Sequence, residues 1–253
     1  MADVGYLAIV AAGFGAYWWR HLRLARSRAA FSGAMATDAE VALHVAMHEA
    51  TSRGQALSSH HVLYGLLQDE TVAAAIATAG GSADALEDRV LAAMAAPTAP
   101  EIGAHGEPIT WRIEQVAALA ESRGRRATCV DLFYALAETR AAALCDDAGL
   151  DRAAVMYALV HGGRPPEVAV DARDVLIVLR NDDYTTQQFV HRALREVFGL
   201  PGDQAMDLMW KTHREGRAVV GRFGATDARD KIAAVRALAR AQAYPLWIAT
   251  EPA

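Results

Sequence analysis

The sequence predicts a multidomain fold. It comprises an N-terminal transmembrane anchor helix with its basic flank (residues 1–28), an all-α double repeat (37–162), a linker (163–173) and a small α+β domain (174–253) with a three-stranded antiparallel sheet and three helices. Three observations predict it. An uncharged apolar run is followed by arginines, the chain repeats itself at a shift of 70 residues, and strand and helix patterns alternate after a Gly-Pro segment. At 253 residues and 53% hydrophobic, the chain can bury two small cores.

The predicted anchor is the run at residues 4–19, which carries no charge and ends in Tyr17, Trp18 and Trp19. Arginines follow it from Arg20 to Arg28, whereas a secretory signal would carry its positive charges before the run. The sequence therefore predicts a single pass through the inner membrane, with the bulk of the chain in the cytoplasm. Because a bilayer core needs roughly 20 apolar residues, a shallow interfacial helix and a buried core helix remain open alternatives.

The double repeat becomes visible when the chain is compared with itself. Residues 50–54 align with 120–124, and residues 61–66 align with 131–136. Each unit shows apolar residues at helical spacing, with a serine or threonine before its second helix. Pro97 and Pro100 break the helices between the units.

Local residue patterns predict the linker and the elements of the last domain. Residues 162–166 read Gly-Gly-Arg-Pro-Pro, which excludes a helix. A central strand at 175–179, helices at 203–214 and 227–242 and strands at 218–223 and 246–249 are predicted, together with a helix directly after the first strand. Thr185 and Gln188 are expected to form the capping box of that first helix, and Gly216 is expected to end the second.

The predicted site is the polar turn after the central strand. Asn181, Asp182 and Asp183 follow the apolar run directly, and two neighbouring acids repel each other unless a cation or a hydrogen-bond donor visits them. A helix-capping turn without a ligand is the plain alternative. The turn is therefore a candidate cation-recognition site.

Residues 173–253 resemble the adaptor family ClpS, which delivers proteins with destabilising amino-terminal residues to a Clp unfoldase. The islands that carry the resemblance are Val-Leu-Arg-Asn-Asp-Asp-Tyr-Thr at 178–185, Met209 with His-Arg-Glu-Gly at 213–216, Ala228 with Lys231, and Tyr-Pro-Leu at 244–246.

The resemblance implies a role for each matching residue. Asn181, Asp182 and His213 would hold the substrate's amino group, whose three donors need several acceptors. Asp183 and Thr185 would contact the peptide, and Lys231 would dock the unfoldase. The wall of the hydrophobic pocket would comprise Gln187, Val190, Met209, Thr212 and Leu246. Gln187 and Thr212 are more polar than the family's usual residues, which suggests that a tyrosine or another side chain with polar reach is favoured.

The double repeat resembles the amino-terminal domain of Clp unfoldases, through residues 58–63 and 128–133. No Gly-x-x-x-x-Gly-Lys-Ser/Thr run occurs, which excludes a P-loop ATPase motor. The sequence thus predicts a membrane-tethered adaptor. Its partners would be an ATP-dependent Clp unfoldase of the ClpA or ClpC type, N-degron substrates and the membrane. The alternative is a non-delivering regulatory or scaffold protein whose repeat domain docks in cis on the ClpS-like domain.

Other function classes lack support in the sequence. A net charge of −5 argues against nucleic acid, and no cofactor is expected. His44 and His48 have a zinc-compatible spacing but lack a third ligand at a convincing spacing. Cys129 and Cys145 are predicted to be buried small residues, with redox sensing as the minor reading. Without a nucleophile or metal triad, the chain is predicted not to be an enzyme.

Overall fold

The computed structural model describes residues 33–95, 108–168 and 174–253, and these are mostly helical with a three-stranded antiparallel sheet at the C-terminal end. The helical unit contains, in the described ranges, α1 Thr37–Ser52, α2 Ser59–Leu67, α3 Glu70–Thr78, α4 Ala83–Ala95, α5 Ile109–Ser122, α6 Cys129–Ala135, α7 Arg140–Asp147 and α8 Arg152–His161. The C-terminal unit contains β1 Asp174–Arg180, α9 Gln187–Phe198, α10 Gly202–Glu215, β2 Arg217–Gly224, α11 Ala225–Arg240 and β3 Trp247–Pro252.

Corresponding helices of the two repeats begin 70 residues apart, which is the shift found in the sequence. Helix α2 begins at Ser59 and α6 at Cys129, while α3 begins at Glu70 and α7 at Arg140. Helices α2 and α6 also begin with the same kind of cap, a capping box. The side chain of the residue before each helix accepts from the backbone N–H of the third helical residue, and the side chain of that third residue accepts from the backbone N–H of the capping residue. Both repeats contribute to one continuous hydrophobic core.

Glycine at position 65 allows helices α1 and α2 to approach closely. A Cβ on Gly65 would lie 2.1 Å from the Ala42 carbonyl oxygen, and that oxygen belongs to the backbone and cannot rotate away. The second repeat has Ala135 at the equivalent position, so the close approach is a property of the first repeat.

Replacing Gly65 by Ala is expected to lower the free energy of unfolding by about 1 to 3 kcal/mol, because the added methyl group overpacks the helix contact. The measurement is urea unfolding followed by circular dichroism. Gly163→Ala is the matched control, since its Cβ would meet nothing within 4 Å. Equal stability of the two variants would contradict the close helix contact.

The C-terminal unit is a sheet covered by helices. Strand β1 is central, with β2 and β3 pairing antiparallel on either side of it. Its residues Val175, Ile177 and Leu179 are buried and pack with α9, α10 and α11 in a second core. At its end, Arg180 pairs with Arg217 and Trp247, so the residues that follow β1 emerge at one edge of all three strands.

The prediction of an N-terminal transmembrane helix, and with it of a single-pass inner-membrane protein with the membrane as partner, is corrected by the structure. Within the three described ranges, no helix combines the length and apolar character that crossing a bilayer requires. The longest of them, α1 and α11, have 16 residues each, whereas roughly 20 apolar residues are needed. The segment on which the prediction fell, residues 1–28, lies outside the described residues.

Candidate functional site

A single glycine brings the ends of β1 and α10 together. Gly216 is the only residue between α10 and β2, and its backbone is left-handed, with φ 77°, a conformation that favours glycine. The Asn181 N–H donates to the Gly216 carbonyl at 2.8 Å. The last turn of α10 therefore lies beside the end of β1, and His213 Nδ1 is 3.4 Å from Asn181 Oδ1.

Asp182 organises the turn. Its Oδ1 accepts from the backbone N–H groups of Tyr184 (2.8 Å) and Thr185 (2.6 Å), and its Oδ2 accepts from the Thr185 hydroxyl at 2.8 Å. The predicted capping box of Thr185 and Gln188 is therefore wrong. The Thr185 hydroxyl donates to Asp182, and Thr186 caps α9 instead. A carboxylate offers about four lone-pair positions, so Asp182 Oδ2 can still accept from a ligand.

The turn and α10 enclose a cavity of about 410 Å³. The structure brings together around it every residue that the sequence assigned to the amine, the peptide and the hydrophobic pocket. They are Asn181, Asp182, Asp183, Thr185, Gln187, Val190, Met209, Thr212, His213 and Leu246.

The buried part of this wall is apolar. Met209, Thr212 and Leu246 are buried, and the Thr212 hydroxyl donates to the Leu208 carbonyl of its own helix at 2.9 Å. Because that hydroxyl is already satisfied, Thr212 adds little polarity to the cavity. Gln187 is exposed, so the polar departure from the family pattern lies at the solvent side of the cavity.

Lys231, the predicted docking residue, is on a different surface. Its Nζ donates to the Val197 carbonyl at 3.1 Å, lies 3.6 Å from Asp227 Oδ1 and is 5.9 Å from each of the Phe198 and Phe223 ring centroids. None of these residues lines the cavity. The structure thus separates the cavity from the Lys231 surface.

The helical unit also reaches the cavity, which the sequence did not predict. Leu119, Arg123 and Tyr134 line it together with the residues of the C-terminal unit. Arg123 Nη1 donates to the Asp183 carbonyl at 2.6 Å, and Arg125 Nε donates to Asp183 Oδ2 at 2.9 Å. The acidic turn is therefore held by two arginines from the loop between α5 and α6.

A buried carboxylate anchors this contact. Asp131 accepts both Arg125 Nη1 (2.7 Å) and Nη2 (2.9 Å), together with the Thr128 N–H (2.8 Å) and the Tyr184 hydroxyl (3.1 Å). Burial by itself would raise the pKa of Asp131, but the bonds from Arg125 and Thr128 outweigh it and hold the pKa below its usual value. Tyr184 packs in the hydrophobic core of the helical unit, and so joins the two units.

One aromatic ring stands next to the proposed amine site. Trp210 is 41% exposed and its ring centroid is 5.9 Å from that of His213, in an edge-to-face arrangement. The sequence alone is compatible with a core or an exposed position for Trp210, which follows Met209 but lies off its apolar stripe. Its proximity to His213 makes its fluorescence a local reporter of the site.

The histidines and cysteines considered in the sequence give no second site. In the described ranges, no cluster of three or more His, Cys, Asp or Glu side chains is arranged to hold a metal ion. Cys129 and Cys145 are free and buried. Burial raises the pKa of the Cys145 thiol to about 12, so its reactive thiolate form is scarce at neutral pH.

Comparisons with known proteins converge on the C-terminal unit. The family model "ATP-dependent Clp protease adaptor protein ClpS" matches residues 171–249. The ATP-dependent Clp protease adapter protein ClpS of Leptospira biflexa is 43% identical over 70 residues, which span 28% of this chain and 62% of that protein, less than two thirds of its length. The protein of that name in Nitratidesulfovibrio vulgaris (strain Miyazaki F) is 39% identical over 90 residues, 34% of this chain and 90% of that protein.

A solved structure, Agrobacterium tumefaciens ClpS2 bound to L-phenylalaninamide, is 33% identical to this chain. The match covers 32% of this chain and 98% of that chain, with a TM-score of 0.31. The family match lies in the C-terminal unit and does not reach residues 37–162. The resemblance of the helical repeats to an unfoldase amino-terminal domain therefore stays a prediction.

Proposed function

Because this chain belongs to the ClpS family through its residues 171–249, we propose that it is an adaptor for an ATP-dependent Clp protease. It recognises proteins by a free amino terminus followed by a large apolar first side chain, and passes them to the unfoldase. It does no covalent chemistry itself.

The observation that carries this proposal is the meeting of polar acceptors and an apolar wall in one cavity. Asn181 Oδ1 is an acceptor, so its bond to His213 places a proton on Nδ1 and leaves Nε2 of the neutral ring as an acceptor. With Asp182 Oδ2, the site offers acceptors from three side chains to an ammonium group, which has three donors. This set of acceptors suits an amino terminus better than a metal ion, since only one of the three, Asp182, is a carboxylate.

The apolar wall supplies the second half of recognition. Met209, Thr212 and Leu246 can bury the first side chain of the peptide. Burying a Leu or Phe side chain is worth about 1.5 to 3 kcal/mol, and 1.4 kcal/mol is about tenfold in affinity. Large apolar first residues should therefore be preferred over small ones.

The Lys231 surface is the proposed docking surface for an unfoldase of the ClpA or ClpC type. The contacts of Lys231 lie within the C-terminal unit, whereas the helical unit contacts the C-terminal unit near Asp183, Pro245 and Arg240. This arrangement favours delivery over the alternative of a scaffold whose repeats occupy the docking surface in cis. Co-elution with a purified unfoldase amino-terminal domain in gel filtration distinguishes the two.

A fluorescent peptide that begins with Leu is expected to bind the full chain at least about tenfold more tightly than the same peptide acetylated at its amino terminus, since charge-assisted bonds are worth about 1.5 to 3 kcal/mol. Fluorescence anisotropy measures both affinities. A free peptide that begins with Gly controls for the apolar wall and should bind weakly. Equal affinities for the free and acetylated Leu peptides would contradict the proposal.

A further inference from the structure

The recognition cavity is shared between the two units. The helical unit contributes Leu119 and Arg123, four residues apart at the end of α5, and Tyr134 from α6. The Tyr134 ring centroid lies 5.3 Å from that of Tyr184, which belongs to the site turn. A peptide in the cavity is therefore bounded by side chains of both units.

Arg123 is the charged member of this second wall. Its Nη1 donates to the Asp183 carbonyl at 2.6 Å, and its side chain is 33% exposed. The Asp183 carboxylate is closer to the other arginine: Arg123 Nη1 is 3.8 Å from Asp183 Oδ1, whereas Arg125 Nε is 2.9 Å from Asp183 Oδ2. Among the described residues, Arg123 Nε and Nη2 have no acceptor, so these donors remain available to a ligand.

The position of Arg123 relates it to a particular part of the peptide. The residue it contacts, Asp183, directly follows Asp182, to which we assign the amine, and consecutive Cα atoms are about 3.8 Å apart. The guanidinium group therefore contacts the residue next to the one that we assign to the amine, and it lines the same cavity, near the start of a bound peptide. That place is within reach of a side chain at the second or third position of the peptide.

We propose that the helical unit is part of the recognition site, and that Arg123 favours substrates with a carboxylate side chain at the second or third position. This inference rests on the proposed binding of free amino termini. The guanidinium fork suits a carboxylate because it can donate two parallel hydrogen bonds. The helical unit then adds to selectivity beyond the first residue, which the apolar wall alone cannot read.

The test uses the full chain and free-amine peptides that differ only in having Glu, Gln or Lys at the second position or, in a second set, at the third. Wild type is expected to bind Leu-Glu peptides about two- to fivefold more tightly than Leu-Gln peptides in at least one set, as for a partly exposed ion pair, and Leu-Lys peptides most weakly. Arg123→Gln should abolish the order, whereas Arg123→Lys should retain part of it. Arg126→Gln, which removes an exposed arginine from the same loop, should preserve it.

The outcomes separate this inference from the proposed function. Amine-dependent binding with no preference for Glu in either set, or a preference that survives in Arg123→Gln, would overturn the role of Arg123 and leave the adaptor proposal intact. Loss of amine dependence in wild type would overturn both. Thermal unfolding of each variant shows whether the fold is retained, and Arg123→Lys keeps the test valid if Arg123→Gln is unstable.

Discussion

Replacing Asp182 by Asn is expected to weaken binding of a Leu-initiated peptide by about 10- to 150-fold, because it removes the carboxylate that we assign to the ammonium group. Charge-assisted hydrogen bonds are worth about 1.5 to 3 kcal/mol, which corresponds to this range. The side-chain oxygen of the new Asn can still accept from the backbone N–H groups of Tyr184 and Thr185, as Asp182 Oδ1 does in the wild type. Its NH₂ group then replaces Oδ2 and presents donors to the donors of the amine.

Asp182 also shapes the turn, so the experiment needs a variant that separates the two effects. Thr185→Ala removes one hydrogen bond to Asp182 Oδ2 and leaves the carboxylate charge in place. We expect this variant to lose at most about 2- to 12-fold in affinity, since a typical hydrogen bond contributes about 0.5 to 1.5 kcal/mol. Anisotropy measures both variants, and wild-type affinity in Asp182→Asn would exclude this carboxylate from the amine site.

Replacing Arg125 by Ala is expected to lower the free energy of unfolding of the chain by about 3 to 5 kcal/mol, the usual cost of leaving a buried charge without its partner. The side chain of Asp131 is only 3% exposed, and Arg125 is its cation. The same substitution removes the bond to Asp183, and so loosens the contact between the helical unit and the site turn. Urea unfolding at pH 7 measures the loss.

Two controls identify the buried charge as the cause. Arg126→Ala removes an exposed arginine from the same loop and should change stability by less than about 0.5 kcal/mol. The double variant Arg125→Met with Asp131→Leu should lose less than Arg125→Ala, because no charge is left buried. A loss in the double variant equal to that in Arg125→Ala would assign the effect to packing.

The pH dependence has opposite signs in the wild type and the variant. In the wild type the pKa of Asp131 is lowered, so its contribution to stability is present above the unfolded pKa of about 3.9 and is lost as the pH falls through the folded value. Without Arg125, burial raises the pKa of Asp131. The defect of Arg125→Ala should therefore shrink as the pH falls from 7 toward 4.5.

The C-terminal unit could be predicted from sequence in most of its elements. Its first strand was expected at 175–179 and runs Asp174–Arg180, and its second helix was expected at 203–214 and runs Gly202–Glu215. Apolar periodicity and Gly216 fix these elements locally. The capping-box pattern favours Thr185, which has Gln188 three residues later, but the cap of α9 is Thr186. The Thr185 hydroxyl donates to Asp182 instead, and the Thr186 hydroxyl accepts from the Phe189 N–H.

The shared cavity could not be predicted, since nothing local encodes it. Asp131 and Tyr184 are 53 positions apart and meet only when the units pack. Repeat comparison identified the Thr128 and Asp131 positions, but not that Asp131 binds Arg125. The transmembrane prediction failed differently, because hydropathy of one short run was its main support.

Asp183 takes part in two equilibria at once, since it lines the cavity and also pairs with Arg125. A peptide that changes the contacts of the Asp183 carboxylate also changes the strength of the contact between the helical unit and the site turn. By thermodynamic reciprocity, that contact must change the peptide's affinity by the same factor. Under the proposed function, cargo loading and opening of the inter-unit contact are therefore coupled. Hydrogen exchange at residues 123–131, compared with and without peptide, reads the sign of that coupling.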